Sequence, residues 1–198
     1  MESPFLRSRD SSTSAIFLTF LMVFSTTVSV LIVDNVQAHD VLDEVIWEQP
    51  VIKLYGKNHP IPRLTSFISN EGISYRYSGI THVGKNWPNY LVPLANELSE
   101  FCKVEFNGCL INLYRDGNDS MGWHADNEKE LDLNKKIASI SLGEKRDFDL
   151  KNINDLEKVR FTLGHGDLLI MEPKCQINWV HSIPKRRKIK GKRINLTF

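Results

Sequence analysis

The hydrophobic pattern changes character along the chain. From Ala15 to Val33 it runs without a charge, AIFLTFLMVFSTTVSVLIV, with Arg7 and Arg9 ahead of it and Val36-Gln37-Ala38 behind. A run of that length with no polar face reads as a hydrophobic leader or single membrane anchor rather than a core helix, and it is set outside the domain that follows. After Pro88-Asn89 the spacing becomes helical: Leu91, Leu94, Ala95, Leu98, Phe101 and Cys102 recur on one face. Elsewhere beyond His39 the apolar stretches are short. They alternate in Ile73–Ile80, Phe106–Tyr114 and Lys136–Leu142, and again in Val159–Leu163, Asp167–Met171, Asn178–Ile183 and Arg193–Phe198. Turn residues separate them at Asp116-Gly117-Asn118, Gly143-Glu144, Gly164-His165-Gly166 and Pro184. Many short strands with one helix ahead of them predict a mainly β fold (α+β), a sandwich or jelly roll, and not the strand–helix alternation of a doubly wound sheet.

Composition narrows this only a little. At 198 residues and 41% hydrophobic, the chain can bury a core. Lys+Arg 25 against Asp+Glu 24 excludes a uniformly basic coat, but the charge is uneven. No acid follows Glu172, whereas Lys174, Lys185, Arg186, Arg187, Lys188, Lys190, Lys192 and Arg193 do. Such a run is a solvated surface, a targeting signal or a strip for phosphates. Cys102, Cys109 and Cys175 form no CxxC pair, so neither a disulfide framework nor a cysteine zinc site fits.

The chemistry-bearing residues are histidines and one carboxylate. Trp123-His124-Ala125-Asp126 sets an imidazole and a carboxylate two residues apart, so on an extended segment both face one side. His181, in the predicted strand Asn178–Ile183, would complete a 2-His-1-carboxylate set that leaves positions open, as non-haem Fe(II) oxygen chemistry requires. His165-Gly166-Asp167 has the same form, but its glycine and its place before Leu168–Met171 predict a tight turn in which Asp167 satisfies backbone donors. His39, His59 and His82 lack a carboxylate at ligand spacing and read as surface or loop residues. An acidic co-substrate would need a cation opposite the metal. Arg193 offers one, with Asn195 and Thr197 on the same face of the last strand and Asn112 and Tyr114 on one face of another. Taken alone, these are equally the polar outer faces of barrel strands.

Four segments together resemble the AlkB family of Fe(II)- and 2-oxoglutarate-dependent nucleic-acid demethylases. They are Asn112-Leu-Tyr-Arg-Asp-Gly117, Gly122-Trp-His-Ala-Asp-Asn-Glu128, Ile137-Ala-Ser-Ile-Ser-Leu-Gly143 and Arg193-Ile-Asn-Leu-Thr-Phe198. Pro62-Arg-Leu-Thr65 and Tyr75-Arg-Tyr-Ser-Gly79 are most similar to the animal-type DNA-repair branch. The resemblance implies a double-stranded β-helix dioxygenase core at 104–198. A nucleotide-recognition extension with a supporting helix occupies 39–103, and the leader or anchor occupies 1–38.

It also implies roles. His124, Asp126 and His181 would hold Fe(II), and Asn112, Tyr114, Arg193 and Asn195 would contact 2-oxoglutarate, with O2 as the second co-substrate. Glu128 would face a methylated, cationic base, Tyr77 would stack on it, and Tyr75 and Ser78 would lie beside it. Leu54-Tyr55-Gly56 falls where relatives carry an apolar wedge that helps offset the cost of extruding a base. The implied reaction is oxidative demethylation of bases such as 1-methyladenine and 3-methylcytosine in DNA, or in RNA. Formaldehyde, succinate and CO2 leave, and the protein acts as a monomer in alkylation repair.

The family pattern carries a further arginine six residues after the Arg193 position, and the sequence ends at Phe198, one residue before it. Two other readings therefore stand beside the first: a nucleic-acid binder of this fold without turnover, and a 2-oxoglutarate oxygenase acting on protein or lipid. An intracellular site, nucleus or cytoplasm, is expected, with anchoring through residues 15–33 as the alternative. Asn118-Asp-Ser120 and Asn195-Leu-Thr197 would be glycan acceptors on export, and a glycan on Asn195 would obstruct the co-substrate site.

Overall fold

The computed structural model describes residues 21–24, 36–54, 56–77 and 80–198, with backbone alone at 21–24, Leu54, Tyr77 and Ile80. In chain order the elements are β1 (Leu21–Phe24), α1 (Ala38–Glu44), β2 (Val51–Leu54), β3 (Lys57–Pro60), β4 (Leu64–Ser69), β5 (Ser74–Tyr77) and β6 (Ile80–Val83). Then come α2 (Leu91–Cys102), β7 (Gly108–Tyr114), β8 (Met121–His124), β9 (Ile137–Gly143), β10 (Arg146–Asn152) and β11 (Lys158–Leu163). β12 (Leu168–Met171), α3 (Pro173–Asn178), β13 (Trp179–Ile183) and β14 (Arg193–Thr197) complete them. A six-stranded sheet runs β1-β12-β9-β14-β7-β4 and a four-stranded sheet runs β11-β10-β13-β8. All their pairings are antiparallel. Two hairpins, β2–β3 and β5–β6, stand apart from both sheets.

Period-two alternation divides the large sheet into two working faces. On one, Cys109, Ile111 and Leu113 of β7 join Ala138, Ile140 and Leu142 of β9 and Ile194 and Leu196 of β14. α2 covers this face with Leu91, Leu94, Ala95, Leu98 and Cys102, the helical spacing read from the sequence. Each buried leucine there contributes roughly 2 kcal/mol of transfer free energy. The opposite face turns toward the small sheet. The second core lies there: Tyr114, Phe148, Leu150, Leu163, Leu169, Met171, Trp179 and Ile183. The result is the two-layer jelly roll that the strand pattern predicted.

The loop carrying the basic run is clamped to the turn after β7. Arg186 N–H donates to Gly117 O at 2.7 Å and Gly117 N–H to Ile189 O at 3.0 Å. A side chain on Gly117 would meet the Arg186 carbonyl oxygen at 1.7 Å, so this approach requires glycine. The buried Arg146 guanidinium ties the same region together by donating to the carbonyls of Asp116, Asp119 and Pro184.

Several expectations change. Ile73–Ile80 is not one strand: Tyr77 pairs with Ile80 and Ser74 with Val83, so the segment forms two antiparallel strands, β5 and β6. His82 is not a surface or loop residue: it is 5% exposed, whereas His39 and His59 are exposed as expected. Leu21–Phe24, inside the run that was set outside the domain, pairs in register with Leu168–Met171 at the edge of the large sheet. The rest of the 15–33 run lies outside the described residues, among which no helix is long and apolar enough to cross a membrane.

Candidate active site

β8 and β13 are neighbours, and His124 stands directly opposite His181 in their register. Directly opposed residues of an antiparallel pair share a face. Both rings therefore project into the space between the sheets, with centroids 4.2 Å apart. Asp126, two residues beyond His124, completes the group. Its Oδ1 lies 3.5 Å from His124 Nε2 and its Oδ2 lies 3.5 Å from His181 Nε2. One ligand atom from each residue lies within 4.8 Å of the others.

Neighbours fix each member. The Asp126 N–H donates to Gln176 Oε1 of α3 at 2.9 Å. His124 Nδ1 lies 2.9 Å from the Gly122 carbonyl, which holds the proton on Nδ1 and leaves the Nε2 lone pair facing Asp126. Phe148 stacks on the His181 ring at 5.2 Å.

The electrostatics suit a cation. Burial drives the His181 pKa down to about 4, against the pull of Asp126, so this imidazole is neutral at physiological pH. Burial also opposes protonation of His124, but the hydrogen bond and charge of Asp126 outweigh it and raise its pKa. Asp126 is likewise desolvated, yet His181 and His124 hold its pKa below the ordinary carboxylate value. Two imidazoles and one carboxylate facing a common point, with no closer mutual contact, form a donor set that fits a divalent metal with positions left open.

The wall opposite is polar and buried. β14 lies between β7 and β9, and its register sets Arg193 beside Tyr114 and Gly143, and Asn195 beside Asn112 and Ser141. Arg193 is 1% exposed, and its Nη2 donates to Ser141 Oγ at 2.8 Å. Its Nε and Nη1 are buried with no hydrogen-bond partner, and no carboxylate pairs with it among the described residues. Burial lowers its pKa to about 10, so the group remains a cation. A desolvated guanidinium lacking an anion is costly, and a bidentate carboxylate is its natural complement. Asn195 Nδ2 donates to Ser139 Oγ at 2.8 Å. Asn112 Oδ1 accepts from Arg63 Nε at 2.8 Å, which leaves its NH2 group as the end free to meet another acceptor.

On the third side lies the β5–β6 hairpin. Buried Tyr75 packs on Phe67 with ring centroids 5.5 Å apart. Glu128 is partly buried and hydrogen-bonded by the Tyr75 side chain. Burial first, then the charge of Asp126, raises its pKa, and its Oε2 has no partner. Leu54 pairs with Lys57 at the end of the β2–β3 hairpin, and Gly56, just before Lys57, has φ +79°. Tyr77 closes β5. Tyr55 and Ser78 lie outside the described residues.

His124, Asp126, His181, Asn112, Tyr114, Arg193, Asn195, Tyr75 and Glu128 thus belong to the space between the sheets and its rim. The competing pair behaves as its glycine predicted: Asp167 Oδ2 accepts from Gly164 N–H at 2.7 Å and His165 Nδ1 from Gly143 N–H at 3.1 Å. Sequence reasoning missed Arg63, Ser139, Ser141 and Gln176. The serines had a signal, since Ser139 and Ser141 alternate with Ala138, Ile140 and Leu142 and so mark a polar inner face.

Known proteins are similar to this chain. The family model of the 2OG-Fe(II) oxygenase superfamily matches residues 30–198. The DNA oxidative demethylase ALKBH2 of Bos taurus is 38% identical over 155 residues, covering 74% of this chain and 56% of that protein. The alpha-ketoglutarate-dependent dioxygenase alkB homolog 3 of Mus musculus is 35% identical over 165 residues, covering 78% and 57%. The chain thus spans a little over half the length of these relatives. The solved structure of OsALKBH1 has the same fold, with a TM-score of 0.55 at 16% identity, covering 90% of this chain and 96% of that one. The chain belongs to the 2OG-Fe(II) oxygenase superfamily, in its AlkB family.

Proposed function

We propose that this chain oxidatively demethylates N-alkylated bases in nucleic acid, with 1-methyladenine and 3-methylcytosine in DNA as its substrates and RNA as a second one. The observation that carries the reading is one juxtaposition. The His124–Asp126–His181 set faces a buried guanidinium with two unpartnered nitrogens, and a half-buried carboxylate, Glu128, stands at the rim. When bound, Fe(II) with 2-oxoglutarate and O2 supplies the oxidant that hydroxylates the N-methyl carbon, so that formaldehyde, succinate and CO2 leave.

The residues then divide the work. His124, Asp126 and His181 hold the metal through Nε2, a carboxylate oxygen and Nε2. Arg193 and Tyr114 take the distal carboxylate of the co-substrate, while Asn112 and Asn195 orient its body. Glu128 attracts the positive charge of the methylated base, and the Tyr75 hydroxyl holds that carboxylate in place. Tyr77 stacks on the base with Ser78 beside it, and Leu54-Tyr55-Gly56 serves as the wedge into the duplex. Residues 104–198 carry the chemistry and 39–103 the recognition. The protein works as a monomer inside the cell, in nucleus or cytoplasm.

The basic run at 185–192, in the loop between the strands that carry His181 and Arg193 and clamped to the turn after β7 by Arg146 and Gly117, supports a polyanionic substrate over a protein or lipid one. The test is formaldehyde release from an oligonucleotide carrying 1-methyladenine, with Fe(II) and 2-oxoglutarate supplied. His181→Ala lowers the rate by roughly a thousandfold, because outer-shell changes at metal sites alone cost 10–100-fold. Full activity in that variant contradicts the reading. Methylated-DNA binding without succinate formation in the wild type favours the non-catalytic alternative.

A further inference from the structure

Trp123 and His124 are consecutive on β8, so they face opposite sides of the small sheet. His124 faces inward, and Trp123 is 43% exposed on the outside. The registers align Val180 with Lys151 and Lys151 with Lys158 on that same outer face. The Lys151 ammonium sits 5.1 Å from the Trp123 ring centroid. A shallow cavity of about 150 Å³ runs along the face, bounded by Trp123, Asp149, Lys158, Val159 and Arg160.

Its charge arrangement is unusual for a merely solvated surface. Asp149 is engaged by Arg160 through contacts of 2.5 and 2.8 Å, and Asp147 by Arg186 at 2.6 Å. The arginines thereby neutralise the acids. Lys151 and Lys158 stand directly opposite each other, and neither has a carboxylate partner among the described residues. Like charges at directly opposed positions destabilise a strand pair, and a bound polyanion relieves that repulsion. An exposed tryptophan beside two such lysines has the make-up of a stacking platform for unpaired bases, with cations to meet the phosphates. β8 is also the edge of its sheet. A strand leaving the mouth of the site over that edge meets Trp123 first and the lysine pair next.

We propose that this outer face binds the single-stranded flank of the polynucleotide whose target base occupies the site, stacking a base on Trp123 and setting phosphates against Lys151 and Lys158. The inference rests on the nucleic-acid reading of the site, and the experiment separates the two. Binding of fluorescein-labelled dT15 is measured by anisotropy at 50 and 200 mM salt for the wild type, Trp123→Ala, Trp123→Phe and Lys151→Gln. In parallel, formaldehyde release is measured from a trinucleotide and a 15-mer, each with one 1-methyladenine.

Trp123→Ala weakens dT15 binding about tenfold, and Trp123→Phe restores most of it. Lys151→Gln flattens the salt slope by about 0.7. Turnover of the trinucleotide is unchanged in Trp123→Ala, while that of the 15-mer falls. Wild-type dT15 affinity in Trp123→Ala overturns the proposal, as does equal loss of turnover on both substrates, which would mean that Trp123 acts through His124. If no variant and no wild type releases formaldehyde, the demethylase reading fails while dT15 binding still decides the platform.

Discussion

The inner wall built by β7, β14 and β9 and the pair of hairpins at β2–β3 and β5–β6 are constructed on opposite terms. In the wall, Arg193, Asn195 and Asn112 are each tied by a neighbouring strand or loop, to Ser141, Ser139 and Arg63. The backbone of β14 is paired on both sides. The hairpins are isolated two-stranded ribbons. β3 is exposed along its whole length, and β5–β6 packs on the body through Tyr75, against Phe67, and through the buried His82. Two-stranded ribbons are marginal by themselves. On the proposed function the difference reads as a division of labour. Groups proposed to meet a small co-substrate at fixed distance are mounted on strands paired on both sides. Groups proposed to admit a bulky base sit on two-stranded ribbons, which have fewer neighbours to break on opening.

Substitutions that exchange the consequences of the two regions break this comparison. The largest effect belongs to Arg193→Met. Removing one member of a buried charged pair costs roughly 2–5 kcal/mol, so the KM for 2-oxoglutarate rises about a hundredfold in a steady-state succinate assay. The affinity for methylated oligonucleotide stays within about threefold, because the change lies in the wall. A loss of oligonucleotide affinity as large as the KM effect would erase the distinction.

Arg63→Met comes next. It removes the bond that orients Asn112, together with a positive charge that depresses the His124 pKa, and a hydrogen bond to a charged group contributes roughly 1.5–3 kcal/mol. The expected readout is a rise of about tenfold in the same KM.

The smallest effect sharpens the hairpin side. Burial lowers the pKa of His82 on β6, with Glu48 opposing and Lys85 and Arg63 adding to the fall. The folded state therefore binds fewer protons than the unfolded chain once pH drops below about 6.5. Stability attributable to His82 is present above that value and is lost as pH falls toward the lowered pKa. His82→Leu flattens the fall of the thermal midpoint between pH 7 and pH 5. An unchanged slope would remove His82 from the account.

Legibility followed periodicity and local chemistry. His124 and Asp126 could be read because i and i+2 share a side of an extended chain, and α2 because its leucines keep helical spacing. Asp167 could be rejected because the glycine beside it signalled a turn, the turn that its bond to Gly164 closes. Arg63 could not be read, because it lies in an irregular segment and its role depends on a partner in β7 that no local pattern announces. β10 escaped because only Phe148 and Leu150 among its residues are apolar, its outer positions being the charged ones that pair with β11. The β5–β6 reversal escaped because alternation continues on both sides of Ser78-Gly79, so the pattern alone shows one longer strand.

The central claim is that His124, Asp126 and His181 grip one ferrous ion. Anomalous diffraction at the iron edge from crystals soaked anaerobically in Fe(II) tests it most directly. The account predicts a single strong peak bonded to His124 Nε2, an Asp126 carboxylate oxygen and His181 Nε2, absent in His181→Ala. A peak elsewhere, or none in crystals of the wild-type protein, would contradict it.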